Sequence, residues 1–377
     1  MTKWAGRCAE VIADAARQGT LAALVLRWLG AFAFYLSLIY WAALLALCVL
    51  LRMVGEQNIT TAFLLYLPPA VWLLPGVCLT GFCLLVHRRC LLAGLVGIGL
   101  TVWLWMGYRL GAGTYAGGED QTAVLSVMTY NRGQHMNQSL QPFKNAMRPD
   151  ILLLQESPNR AAGYLTSPDY AEFKHGRNVG EHTILSRHPI LEAQLLDPAT
   201  DGNQSRPARF VIQWGSRSVS VYSVHLRTPR EVLGSYMRGA FLWGVLGLPG
   251  TPWEGRRRHY QDFWNRQMAD ARHLLEKIHA DPNPSLIGGD FNAPHIGHVH
   301  QMLVEKLGDA HAEAGQGFGF TFPGVTRNPL SLGGPWMRID YIFRDRRWRT
   351  LRCVTEPDRP SQHRAVFASF SLVADAE

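Results

Sequence analysis

The stretch Ile287-Gly288-Gly289-Asp290-Phe291-Asn292-Ala293-Pro294 sets a carboxylate and a carboxamide two positions apart, just after the apolar run Ser285-Leu286-Ile287. Side chains alternate along an extended strand, so Asp290 and Asn292 are expected to point the same way. An ionised carboxylate holds a water or a metal, and a carboxamide N–H donates to a phosphate oxygen. The two glycines let other groups approach the backbone closely. These residue types suit hydrolysis of a phosphoester. Asp and Asn also bond their own backbone in ordinary turns, which is the plain alternative for an isolated match.

Other apolar runs carry a polar, chemistry-bearing residue at or near their ends. Upstream are Val127-Met128-Thr129-Tyr130-Asn131 and Pro149-Asp150-Ile151-Leu152-Leu153-Leu154-Gln155-Glu156. Ile184-Leu185-Ser186-Arg187 and Val221-Tyr222-Ser223-Val224-His225-Leu226 follow. Downstream come Arg338-Ile339-Asp340-Tyr341-Ile342-Phe343 and Ser361-Gln362-His363-Arg364-Ala365-Val366. In order and spacing the set resembles the endonuclease/exonuclease/phosphatase superfamily, whose members include DNase I-like nucleases, abasic-site endonucleases, neutral sphingomyelinases and inositol phosphatases. The resemblance covers roughly residues 122–372. It implies an α/β fold, a two-sheet α/β sandwich of DNase I type, with helices outside and the site at one end of the sheets. It says little about which phosphoester is cut.

The resemblance also implies roles. Glu156 is the expected principal ligand of Mg²⁺ (or Mn²⁺), since a hard cation that keeps most of its waters needs only one or two carboxylates plus a phosphate oxygen. Asn131 supports the metal or its waters. Asp290 orients the attacking water and Asn292 stabilises the charge growing on phosphorus. Asp340 and His363 form a carboxylate–histidine pair that binds the phosphate. His225 matches the second histidine of the DNase I and sphingomyelinase branches and protonates the leaving oxygen; abasic-site enzymes lack it. Arg187 organises its strand end or touches substrate. One departure stands out. The family's usual Asp before the final His is Gln362 here, which keeps the hydrogen bonding and loses a charge, so a two-metal arrangement is in doubt. His295, His298 and His300 read as a polar helix start, because no carboxylate or Cys completes a metal set. Asp309 and the stretch from Gly315 to Thr321 resemble a connection in membrane-tethered bacterial members and read as structural.

These residues need elements to hold them. Strands are expected at 123–130, 150–155, 182–187, 208–214, 217–225, 284–290, 338–343 and 364–371, with helices at 138–147, 259–280 and 298–307. The insertion over 228–258 carries Phe241, Leu242, Trp243, Leu246, Leu248 and Trp253 beside Arg256, Arg257 and Arg258. Apolar residues next to an Arg cluster read as an interfacial membrane contact, and packing on their own domain is the bland alternative.

Ahead of all this, Trp28 to Leu51 contains no charge, a run longer than the roughly 20 residues that cross a bilayer. Residues 62–86 form a second apolar run, interrupted by Pro68, Pro69 and Pro75, and residues 91–108 a third. The expected organisation is a cytoplasmic leader (1–27), a transmembrane region of about three helices (28–110), a linker (111–121) and the catalytic domain (122–377). Lys3, Arg7, Arg17 and Arg27 before the first run, and Arg88 and Arg89 between the second and third, place those ends in the cytoplasm and the catalytic domain outside it. That is the pattern of a bacterial inner or plasma membrane protein. Cys353 stands apart from the other cysteines, Cys8, Cys48, Cys78, Cys83 and Cys90, so the catalytic domain has no internal disulfide and its compartment is not marked by one. The net charge of +8 suits an anionic substrate or anionic lipid, or simply a solvated surface.

The leading expectation is therefore a membrane-anchored, Mg²⁺-dependent phosphoester hydrolase. A phosphodiesterase is favoured, with nucleic acid or phospholipid head groups as substrate, membrane lipid as a partner and no obligate protein partner. The alternative is a catalytically weakened, membrane-tethered binding module of the same fold.

Overall fold

A computed structural model of the chain describes residues 19–86, 89–111, 124–133, 139–199, 206–235, 249–324, 334–359 and 361–373, with a few single positions among the rest. The chain falls into two compact units, Met1–Leu50 with Leu67–Gly107, and Leu51–Tyr66 with Tyr108–Glu377.

The first unit is helical. Helix α1 (Leu21–Met53) contains a 29-residue stretch, Val25–Met53, long and apolar enough to cross a membrane. Trp28, Phe32, Tyr35 and Ile39 recur at helical spacing and are between 63% and 72% exposed, a continuous uncovered stripe that water would not favour. The expected second run is not one helix. Residues Ile59–Leu65 (α2) and Pro69–Val86 (α3) form two separate helices. Pro68 and Pro69 explain the break, because proline supplies no N–H and pushes the residue before it out of the helical region. Helix α4 (Arg89–Leu100) continues into a wider turn over Thr101–Trp105. Small residues set the packing: Gly76 and Gly97 both lie against Trp41, and Gly94 lies against Thr80.

The second unit contains the expected two-sheet α/β sandwich. Its labelled strands are β1 (Val124–Asn131), β2 (Ile151–Gln155), β3 (His175–Val179), β4 (His182–Ser186), β5 (Ile190–Leu195), β6 (Ala208–Trp214), β7 (Arg217–His225), β8 (Ser285–Asp290), β9 (Gly308–Asp309), β10 (Asp340–Arg344), β11 (Trp348–Thr355) and β12 (Val366–Leu372). One sheet runs β11-β12-β1-β2-β4-β3 and the other β9-β10-β8-β7-β6-β5. Within each sheet one central pair is parallel, β1 with β2 and β7 with β8, and the other pairs are antiparallel. The labelled strands that the apolar runs did not reveal are β3, β5, β9 and β11, each at a sheet edge, where one flank lacks a neighbour and polar residues are tolerated.

Period-2 alternation builds two kinds of core. Leu125 and Val127 of β1, Ile151 and Leu153 of β2, Val219 and Val221 of β7, Leu286 of β8 and Ile342 of β10 share the buried layer between the sheets. The intervening residues face outward. Tyr222, Val224, Ile287, Tyr341 and Phe343 pack under helices α5 (Glu254–His279) and α6 (His298–Val304). Burial of a large apolar side chain contributes roughly 1.5–3 kcal/mol, so this alternation fixes the register of every strand. Gly288 faces the opposite sheet, and a side chain there would meet Leu153 and Thr129.

Residues 51–66 also belong to this unit. Helix α2 buries Ile59, Ala62 and Leu65.

Candidate active site

The inward faces are apolar in mid-strand and turn polar at one end. Along β1 the sequence inward is Leu125, Val127, Thr129, Asn131; along β2, Ile151, Leu153, Gln155; along β7, Val219, Val221, Ser223, His225. On β8 the same column ends at Asp290, and β10 begins with Asp340. Register does the rest. Asp340 pairs with Asp290, and Asp290 lies beside His225, so three functional side chains form one row across a sheet. In the other sheet Asn131 lies beside Gln155, and Glu156 follows.

Asp290 is the centre. Its Oδ2 accepts Nδ2–H of Asn131 at 2.9 Å, which joins the two sheets. His225 Nε2 lies 3.8 Å and His363 Nε2 3.9 Å from the same oxygen. Behind each imidazole stands a carboxylate. Asp340 accepts from Nδ1 of His363 at 3.0 Å, and Glu181 accepts from Nδ1 of His225 at 3.0 Å. Glu156 Oε1 is 4.0 Å from His225 Nε2. Asp290, Asp340 and His363 are buried, whereas Glu156 and His225 are partly open to solvent. The main-chain N–H of Asp340 donates to Thr321 Oγ1 at 3.2 Å, and the Phe322 ring lies 5.0 Å from that of His363.

The electrostatics follow from burial and partners. Burial, reinforced by the neighbouring Asp340 charge, lifts the Asp290 carboxyl to about 6. Burial pulls His225 down, but the hydrogen bond and charge of Glu181, with Asp290 and Glu156, outweigh it and raise the imidazole to about 9. His363 is also raised, because Asp340 overcomes the desolvation of its ring. His182 falls to about 4, because its burial outweighs the nearby Glu181 charge. Near pH 7 His225 is therefore an imidazolium facing carboxylates, and Asp340 biases the His363 ring toward its charged form.

A second layer fixes the first. Gln155 Nε2 donates to Thr129 Oγ1 at 3.1 Å and to Ser223 Oγ at 3.0 Å, and Ser223 Oγ meets His182 Nδ1 at 2.9 Å. Nε2 of His182 lies 3.1 Å from the carbonyl of Arg206. This buried chain passes from one sheet to the other.

Among the described residues, Asp290, Asp340 and His363 form a group able to hold a metal ion, with one donor atom from each within 4.8 Å of the others. Oxygen donors predominate around the pocket, which suits a hard divalent ion. Asn131 Oδ1 accepts the N–H of Gly133 at 2.9 Å and keeps a second lone pair. Gln362 lies alongside Gly133, so the neutral amide stands next to the Asn131 turn. Glu156 and Asn292 are non-glycine residues with φ of 51° and 47°. That left-handed conformation costs on the order of 1 kcal/mol or more and persists where surroundings enforce it.

The sequence-predicted residues Asn131, Glu156, His225, Asp290, Asn292, Asp340 and His363 thus converge, but not in every detail as expected. Asp290 and Asn292 do not share the face of one strand. The strand ends at Asp290, Asn292 turns left-handed, its N–H donates to Asp290 Oδ1 at 2.8 Å, and its Nδ2 donates to the Leu226 carbonyl at 3.0 Å. Arg187 is not with the others. β4 runs antiparallel to β2, and its last residue, Ser186, pairs with Ile151, the first of β2. Arg187 therefore sits a strand length, about 16 Å, from Glu156, and reaches Arg148 O and Asp150. It organises a strand end and is removed from the substrate-binding set. Trp243, with Phe241, Leu242, Leu246 and Leu248, lies outside the described residues. Trp253 precedes α5 and is 38% exposed. Arg256 and Arg258 are exposed in the first turns of α5, while Arg257 is half-buried. His298 opens α6 as expected, and His300 is a buried partner of Asp309, which also receives a two-pronged bond from Arg338 at 2.8 and 2.7 Å.

Glu181, His182, Gln155 and Ser223 were not foreseen. Glu181 lies in the turn between β3, an edge strand without an apolar run, and β4. Gly180, at φ 57°, was its only local signal.

Comparison with known proteins gives three kinds of result. The model of the endonuclease/exonuclease/phosphatase family matches residues 122–363. No curated protein matches the chain. Similar solved structures include a humanized D. rerio TDP2 (13% identity, 66% of this chain and 99% of that one, TM-score 0.46) and a truncated Caenorhabditis elegans TDP2 (18%, 66% and 98%, 0.46). An endonuclease/exonuclease/phosphatase from Beutenbergia cavernae is similar at 17% identity, over 66% of this chain and 72% of that one, with a TM-score of 0.44.

Proposed function

Since the chain belongs to the endonuclease/exonuclease/phosphatase family, we propose that it is a membrane-anchored, divalent-metal-dependent phosphodiester hydrolase. The observation that carries this reading is the placement of His225 Nε2 and His363 Nε2 at 3.8 and 3.9 Å from one oxygen of Asp290, each ring backed by its own carboxylate. One cation can hold the phosphoryl group while the other protonates a poor alkoxide leaving group, which is what a diester requires.

In this reading Asp290, anchored by Asn131 and by the N–H of Asn292, is ionised above about pH 6 and orients the attacking water. Asp340 favours the charged form of His363 and holds the ring toward the phosphoryl oxygens. Asn292 uses one amide N–H on Leu226 O and has the other for charge building on phosphorus. His225, held charged by Glu181, donates the proton to the leaving oxygen. Glu156, with Asn131, would hold Mg²⁺ or Mn²⁺, which supplies neutralisation of phosphate charge. Gln362 contributes no charge beside Asn131, so metal binding is weaker than with the family's Asp. Complete loss of activity through that change would give the rival, a tethered binding module.

The uncovered apolar stripe of α1 supports the anchor. α3 and the Leu91–Trp105 helix are short but near the lower limit of about 17 residues for a crossing. The Lys and Arg distribution favours an extracytoplasmic catalytic unit in a bacterial inner membrane. Exposed Trp253, Arg256 and Arg258 are proposed to meet anionic lipid heads.

The test incubates purified full-length protein with plasmid DNA, RNA, sphingomyelin and phosphatidylinositol phosphates, with Mg²⁺ or EDTA. Metal-dependent cleavage of any diester supports the reading and names the substrate. No turnover of any of them in Mg²⁺ or Mn²⁺ rejects it.

A further inference from the structure

One contact to the active-site backbone comes from residues far upstream of the strands that build the site. Tyr66, the residue that ends α2, is buried, and its ring stacks on Trp264 of α5 at 5.6 Å and 27°. Its hydroxyl donates to the main-chain carbonyl of Asn292 at 2.7 Å. Gln267 Nε2 donates to the same carbonyl at 3.1 Å and to the carbonyl of Arg227 at 3.1 Å.

The segment carrying Tyr66 is fastened along its length. Glu56 accepts the N–H of Val299 at 3.1 Å. Gln261 accepts from the N–H of Ile59 at 3.1 Å and donates to the carbonyl of Gln57 at 2.9 Å. Asn58 accepts the N–H of Thr60 at 2.9 Å and caps α2. Gly55, at φ 41°, sits so close to His298 that a Cβ would fall 2.5 Å from its nitrogen.

Asn292 needs to be held. It is left-handed at φ 47°, and its buried carbonyl must find donors because an unsatisfied buried acceptor costs roughly 1–3 kcal/mol. Asp290 fixes the peptide before Asn292. Tyr66 and Gln267 fix the peptide after it. The direction of the Asn292 side chain is thereby set from both sides.

We propose that Tyr66 is a positioning residue of the active site, holding the peptide plane of Asn292 so that its carboxamide faces the reacting phosphoryl group. This rests on the hydrolase reading above. It gives the short segment between two apolar helices a direct part in the chemistry, through Asn292 rather than by touching substrate.

The test uses full-length protein in detergent with bis(p-nitrophenyl) phosphate and Mg²⁺, together with amide hydrogen exchange over residues 286–296. Tyr66→Phe removes only the hydroxyl. It should lower kcat about tenfold, since small misplacements near the reacting atoms carry such costs, with KM within about twofold and rapid exchange appearing at 291–294. Tyr66→Phe combined with Asn292→Ala should be no slower than Asn292→Ala alone. A wild-type kcat in Tyr66→Phe, or losses that multiply in the double variant, overturns the proposal. If the wild type cleaves no diester, the hydrolase reading fails. Exchange then decides alone: unchanged protection at 291–294 refutes the clamp, and lost protection supports it.

Discussion

The carboxylate of Glu181 accepts a hydrogen bond from Nδ1 of His225 at 3.0 Å, and this bond leaves Nε2 as the nitrogen that faces Asp290. It also holds the imidazole in its charged form up to about pH 9.

Replacing Glu181 by Gln keeps the shape and removes the charge. The alkaline limb of the pH–rate profile should then move to lower pH, and kcat at pH 8 should fall on the order of tenfold or more. The linkage sign is that of a raised histidine. The stabilisation is complete below about pH 6.5 and disappears as pH rises through about 9. Thermal midpoints of wild type and Glu181→Gln should accordingly differ at pH 6 and converge above pH 10. An unmoved alkaline limb would show that His225 is not the proton donor.

Glu156→Gln removes a full ligand charge from a partly open strand end. Mg²⁺-dependent hydrolysis should drop by several orders of magnitude, and the rise in melting temperature that Mg²⁺ gives the wild type should vanish. The metal-free protein should melt as the wild type does. Wild-type rates at saturating Mg²⁺ would remove Glu156 from the metal set.

Gln362→Asp restores a carboxylate next to the turn that follows Asn131. The Mg²⁺ concentration for half-maximal activity should fall severalfold, because an added anionic oxygen favours a hard cation. Identical Mg²⁺ titrations would make the amide neutral in effect.

Glu56 is fully buried, and desolvation lifts its carboxyl to about 7. A folded-state value above the unfolded one means that the folded state binds the proton more tightly. Stability should therefore decline as pH rises from about 4.5 to about 7. Glu56→Gln removes the charge, so the variant should be more stable than wild type above pH 7, by up to about 3 kcal/mol, and not below pH 4.5. Thermal unfolding followed by tryptophan fluorescence at both pH values reads this directly, and a wild type that melts higher at pH 8 would contradict it.

Lys3, Arg7 and Arg17 precede α1, Arg27 lies in its first turns, and Arg88 and Arg89 stand at the junction of α3 and α4. A C-terminal alkaline phosphatase fusion expressed in bacteria should be active and a GFP fusion dark. The reverse pattern would place the catalytic unit in the cytoplasm.

The central strands were legible because their inward faces are apolar up to a polar last residue, as in Val219-Val221-Ser223-His225. The edge strands β3, β5, β9 and β11 were not, since exposure on one flank erases the alternation. Direction was the other gap. Asn131, His225 and Asp290 end their strands at the site, and Arg187 ends its strand at the far side, yet all read alike until strand pairing is known. Glu181 and Tyr66 were invisible for a third reason. Each acts on a residue of the site from a turn or a helix end whose local sequence has no use for it. Tyr66 was further masked by the apolar run around it, which read as part of a second span although Pro68 and Pro69 interrupt it.

The threading of the chain through the catalytic unit has a consequence for its release. The backbone enters this unit at Leu51, leaves after Tyr66 and returns at Tyr108. A single cut between 111 and 124 would leave Tyr66 and Glu56 joined to Asn131, Glu156, His225, Asp290, Asn292, Asp340 and His363 by non-covalent contacts alone. Under the proposed reading, a fragment that lacked residues 51–66 would lose the clamp on Asn292 and turn over more slowly than the intact chain.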